Sequence, residues 1–257
     1  MAAGRKDFQL SDKAFTRKFE SAELIMNFAG EPIINRWTDR NRKEILDSRL
    51  QTTRKLGRLL ELGTKIERHY IAASAIGIYP ETGSHTEKSS LQGIGFLSEV
   101  VSAWEQEAFI LESEETTLSI VRLGVVLSRH GGMLKKLLPF FKMGLGGKIG
   151  NGKQAFSWIH IHDLTGAINH IIEKKGSGIY NLVSPGVCSN LDFTRALGNA
   201  LNRPARLTVP VVALKLKYGK AASVITGGQT VLPERLGEEG FQFKYPELIG
   251  ALKAIVN

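Results

Sequence analysis

Residues that could bind or protonate a small molecule recur beside the apolar segments of this sequence. Ser74 lies near the end of one such segment, and Tyr79 follows the segment. Each residue has a hydroxyl group. Trp158, His160 and Asp163 lie at another, where they present an aromatic ring, an imidazole and a carboxylate. Hydroxyl, imidazole and carboxylate groups can orient a polar substrate or transfer a proton to it. These residue types indicate a small-molecule site, provided that the fold brings the ends of the segments together.

The apolar segments alternate with stretches of helical periodicity, and this alternation predicts an α/β fold with a parallel sheet and helices on both faces. We predict strands at Leu24–Phe28, His69–Ala75, Leu118–Leu127, Phe156–Ile161 and Gly178–Val183. Ligands in such sheets bind beyond the carboxyl ends of the strands. We therefore expect the polar residues at the strand ends to meet at one edge of the sheet.

The segments between the strands have the caps and the periodicity of helices. We predict helices from Thr38 to a stop at Gly63, over Phe96–Leu111, over Met133–Met143, from an Asp163 cap to Glu173, and from an Asn190 cap to Leu201. Beyond Pro204 the segments shorten and prolines recur. This change predicts a main α/β domain over residues 1–201 and a small C-terminal α+β lobe over residues 202–257.

The composition is that of an ordinary globular protein, with 42% hydrophobic and 23% charged residues in a chain of 257. Cys188 is the only cysteine, which excludes an internal disulfide framework and fits a reducing compartment. No apolar run approaches the roughly 18 residues that span a bilayer. The opening residues also lack the apolar core of a secretory signal. We therefore predict a cytoplasmic protein that does not associate with a membrane.

The chain is basic, with a formal net charge of +9, and one segment concentrates this charge. The segment from Arg129 to Lys153 holds lysines, arginine and several glycines but no acidic residue. A basic, glycine-rich surface attracts an anionic nucleotide ligand; the alternative is a solvated surface loop. Nucleic-acid binding is less favoured, because the sequence has no zinc knuckle, aromatic RNA-binding signature or helix-turn-helix.

Six motifs occur in a fixed order along the chain. They are "NFAGEPI" from Asn27, "DSRLQTTRKL" from Asp47, "ASAIGIY" from Ala73, "RLGVVLSRHGGML" from Arg122, "FSWIHIHDL" from Phe156 and "GGQTVLPERLGEEGFQFKYPEL" from Gly227. Together they resemble the sugar-nucleotide epimerase branch of the extended short-chain dehydrogenase/reductases, from about residue 20 to the C-terminus. The resemblance implies a Rossmann-like, doubly wound domain that binds NAD(P), and a nucleotide-sugar or small carbonyl substrate.

The resemblance also implies which residues approach the cofactor, NADP or NAD. It places the turn at Gly30 and the loop residues Glu31 and Arg36 near the nucleotide. There a carboxylate can accept ribose hydroxyls, and an arginine can clamp a phosphate, which favours NADP. Arg49 would approach from the following helix, and Val125 would touch the nicotinamide end. The alternatives are a solvated ion pair in the loop, a surface arginine on the helix and a valine of the core.

One departure from the family concerns the glycine-rich turn that holds the cofactor diphosphate. Gly4 is the only glycine before Gly30. We therefore expect the sequence to be truncated at its N-terminus, without the first β-α-β unit, so that the diphosphate lacks its usual amide cradle. The strand at Leu24–Phe28 would then be a sheet edge with unpaired backbone groups, which favours self-association. Residues Phe8–Phe19 would prevent this association if they covered the edge.

A second departure concerns the Tyr-x-x-x-Lys pair of the wider superfamily, in which the lysine lowers the pKa of the tyrosine that acts as acid or base. The matching positions hold Phe96 and Val100, and neither side chain can transfer a proton. Ser74 and Tyr79 are then the candidate catalytic residues, which would orient or protonate a substrate. The alternative is that Ser74 closes its strand through a local backbone bond and that Tyr79 packs as a loop aromatic.

Trp158 and His160 are the candidate substrate contacts. The alternatives are a satisfied, half-buried His160 and an Asp163 that serves as a helix N-cap. His160 and His162 alternate along the predicted strand and point to opposite faces, so we expect no metal site. These features favour an NAD(P)-dependent epimerase or oxidoreductase. The alternative functions are an inactive, truncated family member that cannot hold a dinucleotide and serves only as a binding or remnant protein, and a basic nucleic-acid binder.

Overall fold

The computed structural model describes residues 19, 21–62 and 65–256 of the chain. The strands in this part are β1 (Leu24–Asn27), β2 (Arg68–Ala75), β3 (Ser84–His85), β4 (Thr116–Leu123), β5 (Val125–Leu127), β6 (Gly147–Ile149), β7 (Ala155–Phe156), β8 (Trp158–His160), β9 (Gly178–Leu182), β10 (Cys188–Ser189), β11 (Leu207–Val209) and β12 (Thr230–Val231). The α-helices are α1 (Asp39–Leu62), α2 (Phe96–Phe109), α3 (Gly132–Lys142), α4 (Ile161–Glu173), α5 (Asn190–Ala200), α6 (Val211–Tyr218), α7 (Ser223–Thr226), α8 (Glu234–Glu238) and α9 (Leu248–Val256). Two 3-10 turns cover Ile76–Ile78 and Gly219–Ala222.

A four-stranded parallel sheet forms the centre of the fold, in the order β1-β2-β4-β9. Ala72 of β2 pairs with Asn27 of β1 on one side and with Ile120 of β4 on the other. The predicted α/β, Rossmann-like parallel sheet is therefore confirmed. Four two-stranded pairs, β5-β8, β6-β11, β3-β12 and β7-β10, lie beside this sheet.

Helices cover both faces of the sheet because its inner strands are apolar on both sides. Tyr70 and Leu118 face a cluster that includes Leu56 of α1 and Ala108 of α2. On the opposite face, a second cluster joins the sheet to apolar residues of α4 and α8 (Ile71, Val121, Ala167, Ile171 and Leu236). Neighbouring residues of one strand thus enter different cores, which is the period-two alternation of a β-strand.

Within the described residues, β1 lies at the edge of the four-stranded sheet. Phe19 is buried and packs in the same cluster as Ile25 of β1 and Leu56 of α1. The expected truncation of the first β-α-β unit and the possible cover by Phe8–Phe19 fall almost entirely on residues outside the described part. The predicted self-association through this edge stays a prediction.

The predicted long strand Leu118–Leu127 is wrong, because the chain breaks at Gly124 into β4 and β5. The Gly124 N–H still donates to Leu182 O at 3.2 Å, but the next N–H, of Val125, donates to Ser157 O at 2.9 Å. A Cβ at Gly124 would lie 2.7 Å from Val183 Cγ1 and 2.9 Å from Ser157 O. The chain therefore changes its pairing partner at Gly124, where a larger residue would collide with Val183 and Ser157. Hydrophobic periodicity does not predict this change of partner.

Helix α4 begins earlier than predicted, and Asp163 is not its N-cap. The N-cap is His160, whose Nδ1 accepts a hydrogen bond from the His162 N–H at 3.0 Å. The Asp163 carboxylate instead accepts the N–H groups of Lys244 and Tyr245 at 2.8 and 2.9 Å. The predicted strand Phe156–Ile161 accordingly splits into β7 and β8 and ends at His160. His162 belongs to the helix, so the two histidines do not alternate along a strand.

The predicted Asn190 cap is also wrong, by one residue. Ser189 is the N-cap of α5 and forms a capping box with Asp192. Asn190 Oδ1 accepts the Ile149 N–H at 2.8 Å, which ties the start of α5 to β6. The Thr38 cap of α1 is confirmed, because Thr38 Oγ1 accepts the Asn41 N–H at 3.2 Å. The predicted stop at Gly63 lies outside the described residues.

The C-terminal part of the chain shares a core with the part before residue 202. Leu248 and Leu252 of α9 lie in one buried cluster with Phe193 and Leu197 of α5. The predicted boundary at residue 202 stays a prediction, although this common core shows that the two parts are packed together. No helix in the described ranges combines the length and the apolar character needed to cross a membrane.

Candidate functional site

The loop that follows β1 is held in place by helix α1. Arg49 Nη1 donates to Glu31 O at 3.1 Å and to Ile45 O at 2.9 Å. The Glu31 N–H donates to Ser48 Oγ at 3.0 Å. The Arg49 guanidinium also covers Gly30, since a Cβ there would lie 3.0 Å from Arg49 Cζ. These contacts set the path of the loop main chain at the carboxyl end of β1.

Arg49, which holds the loop after β1, is half-buried. Its guanidinium lies 5.1 Å from the ring centroid of Trp104. Burial lowers the pKa of Arg49, and the charge of Glu31 opposes this shift. The side chain that was predicted to approach a cofactor thus already binds two carbonyl oxygens, and a direct contact with the cofactor stays a prediction.

Arg36 connects the same loop to the C-terminal third of the chain. Its Nη2 donates to Leu216 O of α6 at 2.8 Å, across 180 positions of sequence. This bond places an exposed guanidinium between the loop after β1 and α6. The predicted role of Arg36 in binding a phosphate stays untested by the geometry, as do the roles of Gly30 and Glu31.

A buried polar network lies at the carboxyl ends of β2, β4 and β9 and includes a carboxylate from α2. The Ser74 hydroxyl donates to Glu105 Oε1 at 2.5 Å. Arg122 binds both oxygens of Glu105, at 2.8 and 2.7 Å, and donates to Tyr79 Oη at 2.7 Å. The Tyr79 hydroxyl in turn donates to Asn181 Oδ1 at 2.9 Å. All five side chains are buried, so each hydroxyl in this network already has protein partners.

The electrostatics of the network keep the Tyr79 hydroxyl protonated and the Arg122 guanidinium charged. Burial raises the pKa of Tyr79, and contacts with Arg122 and Asn181 offset only part of that rise. Burial lowers the pKa of Arg122, but hydrogen bonds and the charge of Glu105 raise it above the ordinary value. A phenol with a raised pKa stays neutral at physiological pH, where it can donate a proton but is a poor base. Both hydroxyls already have protein partners, and the predicted roles of Ser74 and Tyr79 in orienting or protonating a substrate stay predictions.

Glu105, Arg122 and Asn181 are the residues of this network that our sequence reasoning missed. The signal was present, because Arg122 interrupts the apolar run "LSIVRLGVVL" and Glu105 follows the inward-facing Trp104. A charged residue on a buried face requires a partner of opposite charge. The sequence alone did not indicate that Glu105 and Arg122, which lie in different elements, pair with each other.

The positions that correspond to the superfamily tyrosine and lysine are occupied by packing side chains. The Phe96 ring lies 4.9 Å from the Trp37 ring, edge to face, and 4.5 Å below the Arg42 guanidinium. Val100 is buried in helix α2. No acid or base stands at either position, as the sequence indicated.

Trp158 and His160 lie on β8, the strand that pairs with β5. Val125 is directly opposite Trp158 in this pair, so two predicted ligand contacts are neighbours. Trp158 is 0% exposed, and its indole N–H donates to Gly186 O at 3.0 Å. This indole belongs to the core, which argues against direct contact with a substrate.

His160 is also mostly buried, and its ring lies 4.1 Å from the Tyr245 ring. Burial lowers the pKa of His160, against an opposing effect of Asp163. Because Nδ1 accepts a backbone N–H, the neutral ring carries its proton on Nε2. Among the described residues, no group of three or more His, Cys, Asp or Glu side chains could hold a metal ion.

Comparison with known proteins places this geometry in a family. The profile of a domain of unknown function, DUF1731, matches residues 209–255. The epimerase family protein SDR39U1 of mouse (Mus musculus) is 38% identical over 241 residues, which cover 91% of this chain and 82% of the mouse protein.

Two solved structures have a similar fold and a related sequence. The crystal structure of the human epimerase family protein SDR39U1 with NADPH is 36% identical, with a TM-score of 0.86, over 91% of this chain and 82% of that chain. A nucleoside-diphosphate sugar epimerase from Corynebacterium glutamicum is 29% identical, with a TM-score of 0.71, over 94% of this chain and 47% of that chain. The chain therefore belongs to the epimerase family that SDR39U1 represents, within the extended short-chain dehydrogenase/reductases.

Proposed function

We propose that this protein binds a nicotinamide dinucleotide, NADPH in preference to NADH, at the carboxyl edge of the sheet, between the loop after β1 and Val125 of β5. We further propose that it acts as an oxidoreductase or epimerase on a nucleotide-sugar or small carbonyl substrate. The observation that carries the proposal is the similarity to the human SDR39U1 structure with NADPH, which extends over 91% of this chain. The parallel sheet with open loops at its carboxyl edge supports the same location.

The residues at this edge fit a nucleotide. Gly30 is exposed, the Arg49 guanidinium lies against it, and Arg49 and Ser48 hold the neighbouring main chain. Glu31 would accept ribose hydroxyls from this loop, and Arg36 would bind a 2′-phosphate. Val125, half-buried on β5, would contact the nicotinamide end.

The bound nicotinamide would supply hydride transfer, and the chain would supply binding and orientation. Phe96 and Val100 cannot transfer a proton, and the Ser74 and Tyr79 hydroxyls are engaged in the buried network. A reduction that draws its proton from solvent suits this set of residues better than ring epimerisation, which requires a positioned base. We therefore favour oxidoreductase chemistry within the proposed function.

Titration with NADPH and NADH, followed by tryptophan fluorescence, tests the proposal. Trp104 is a suitable reporter, because it lies beside the Arg49 guanidinium that covers Gly30. We expect saturable quenching by NADPH. In R36Q the NADPH affinity should fall roughly tenfold, because an arginine–phosphate contact is lost, while the NADH affinity changes less.

Arg58→Gln is the matched control, since it removes an exposed arginine from α1. This control should bind both cofactors as the unmodified chain does. Absence of a saturable signal up to millimolar cofactor would overturn the proposal and favour the alternative of an inactive binding or remnant protein. If R36Q weakens the binding of NADPH and of NADH equally, the proposed contact between Arg36 and the 2′-phosphate is contradicted.

A further inference from the structure

A second ligand site is suggested by a groove of about 510 Å³ between β6, α5 and the segment before β11. The basic side chains that line it are Lys148, Arg195, Arg203 and Arg206, and none of the lining residues is acidic. The volume lies within the range of small-molecule pockets. The groove shares no residue with the candidate cofactor site at the sheet edge.

The fold brings these cations together from three elements. Gly198 of α5 allows the following segment to approach closely, since a Cβ there would lie 2.7 Å from Ala205 Cβ. The Arg203 N–H donates to Gly198 O at 2.9 Å, which fixes this segment against the helix. Thr208 of β11 then pairs with Lys148 of β6. The charges therefore converge through tertiary packing and not through one basic run of sequence.

No carboxylate of the described residues lines the groove, although Asp192, one turn before Arg195 on α5, offsets part of the charge of that arginine. The Asp192 carboxylate accepts hydrogen bonds from the Ser189 hydroxyl and N–H, which hold it at the start of the helix. Those bonds and, to a smaller extent, the charge of Arg195 lower the pKa of Asp192. Arg203 Nε donates to the neutral carbonyl of Lys142 at 3.1 Å. Like charges that converge in this way favour a bound anion.

We propose that the groove binds a compact polyanion in which two or more phosphate groups are linked. Arginine guanidinium groups suit phosphate oxygens because they donate in pairs, and three arginines line this groove. No aromatic side chain lines it, whereas stacking of bases on aromatic rings is the usual basis of single-stranded nucleic-acid binding. A polyphosphate chain, free or carried by a nucleoside, therefore fits better than a nucleic acid.

Calorimetric titration of the full chain with inorganic tripolyphosphate tests this proposal. We expect saturable binding that weakens with added salt, because the contacts are between charges. The double variant R195Q/R206Q should bind roughly tenfold more weakly, as expected when charge-assisted contacts are lost. Arg203 is left unchanged, because its bond to Lys142 O holds the local fold.

The control double variant R58Q/K253Q removes two exposed positive charges from α1 and α9. It should bind tripolyphosphate as the unmodified chain does, and thermal unfolding should show both double variants folded. Equal weakening in both double variants would overturn the proposal, because the effect would then follow net charge alone. Absence of saturable binding at millimolar tripolyphosphate would also overturn it.

Two further titrations locate the site and identify the source of the phosphates. If NADPH displaces tripolyphosphate in competition, the proposal of a separate site is overturned. Simultaneous binding of both ligands supports it. Adenosine triphosphate that binds as tightly as tripolyphosphate supports recognition of the phosphate chain alone. Tighter binding of the nucleotide, lost in R195Q/R206Q, supports a nucleoside carrier. A DNA duplex that binds in preference to both would overturn the proposal.

Discussion

Two neighbouring regions at the carboxyl edge of the sheet use polar residues in opposite ways. At the carboxyl ends of β2, β4 and β9, the hydroxyl, carboxylate and guanidinium groups of one network bind each other and are buried. Beyond β1, Arg49 binds the main chain of the loop, while Gly30 stays exposed at the surface. Both regions follow parallel strands, so position alone does not distinguish them. The difference is that the first set of groups is used by the fold, and the second leaves a surface that a ligand can reach.

The largest effect is expected when the buried ion pair between Glu105 and Arg122 is broken. Arg122→Met leaves the Glu105 carboxylate buried without its cation, which should lower the free energy of unfolding by about 3–5 kcal/mol. Chemical denaturation measures this change. The exposed pair Arg40–Glu44 on α1 provides the control, and Arg40→Gln should leave the free energy of unfolding nearly unchanged, because solvent screens this pair.

A double variant sharpens the interpretation of that experiment. Glu105→Leu with Arg122→Met removes both charges and should recover part of the stability that Arg122→Met alone loses. If Arg122→Met were as stable as the unmodified chain, the network would not stabilise the region beyond β2, and the contrast with the loop beyond β1 would fail.

An intermediate effect is expected from Tyr79→Phe, which separates a structural role from a catalytic one. The change removes the hydroxyl that lies between Arg122 and Asn181 and leaves two buried groups without this partner. The free energy of unfolding should fall by about 1–3 kcal/mol. NADPH affinity should be unchanged, as fluorescence titration can show. Unchanged stability together with lost turnover would support the catalytic prediction for this tyrosine.

The smallest effect on stability is expected at the loop beyond β1. Arg49→Gln removes two hydrogen bonds to carbonyl oxygens, and the free energy of unfolding should fall by roughly 1 kcal/mol for each bond, less what water recovers. NADPH affinity should fall as well, because the main chain at Gly30 loses its support. A variant that keeps full NADPH affinity would show that the loop does not need this arginine to receive the cofactor.

Local pattern was sufficient for the elements that depend on neighbouring residues. The strand near Leu24, the strand at His69–Ala75, the cap at Thr38 and the short α3 were all predicted within one or two residues. Each depends on alternation, periodicity or a cap within a few positions of sequence. The family motifs likewise indicated the fold that the sheet and the relatives confirm.

Pairing between distant residues was not accessible in the same way. The break at Gly124 depends on Val183 and Ser157, and the side chain of Asp163 depends on the main chain at Lys244. None of these partners is adjacent in sequence. A glycine such as Gly124 or an aspartate such as Asp163 can have several structural roles. The contact with a residue distant in sequence determines which role it has.

The amino-acid sequence by itself determined that this chain alternates strands and helices and carries the motifs of its family, because those properties follow from local spacing. Only the tertiary structure decided which polar groups are available for chemistry. It buried Ser74 and Tyr79 with Glu105 and Arg122, and it assembled four cations around one groove. The physical reason is that a side chain binds either the protein or a ligand, and long-range packing determines which partner it reaches.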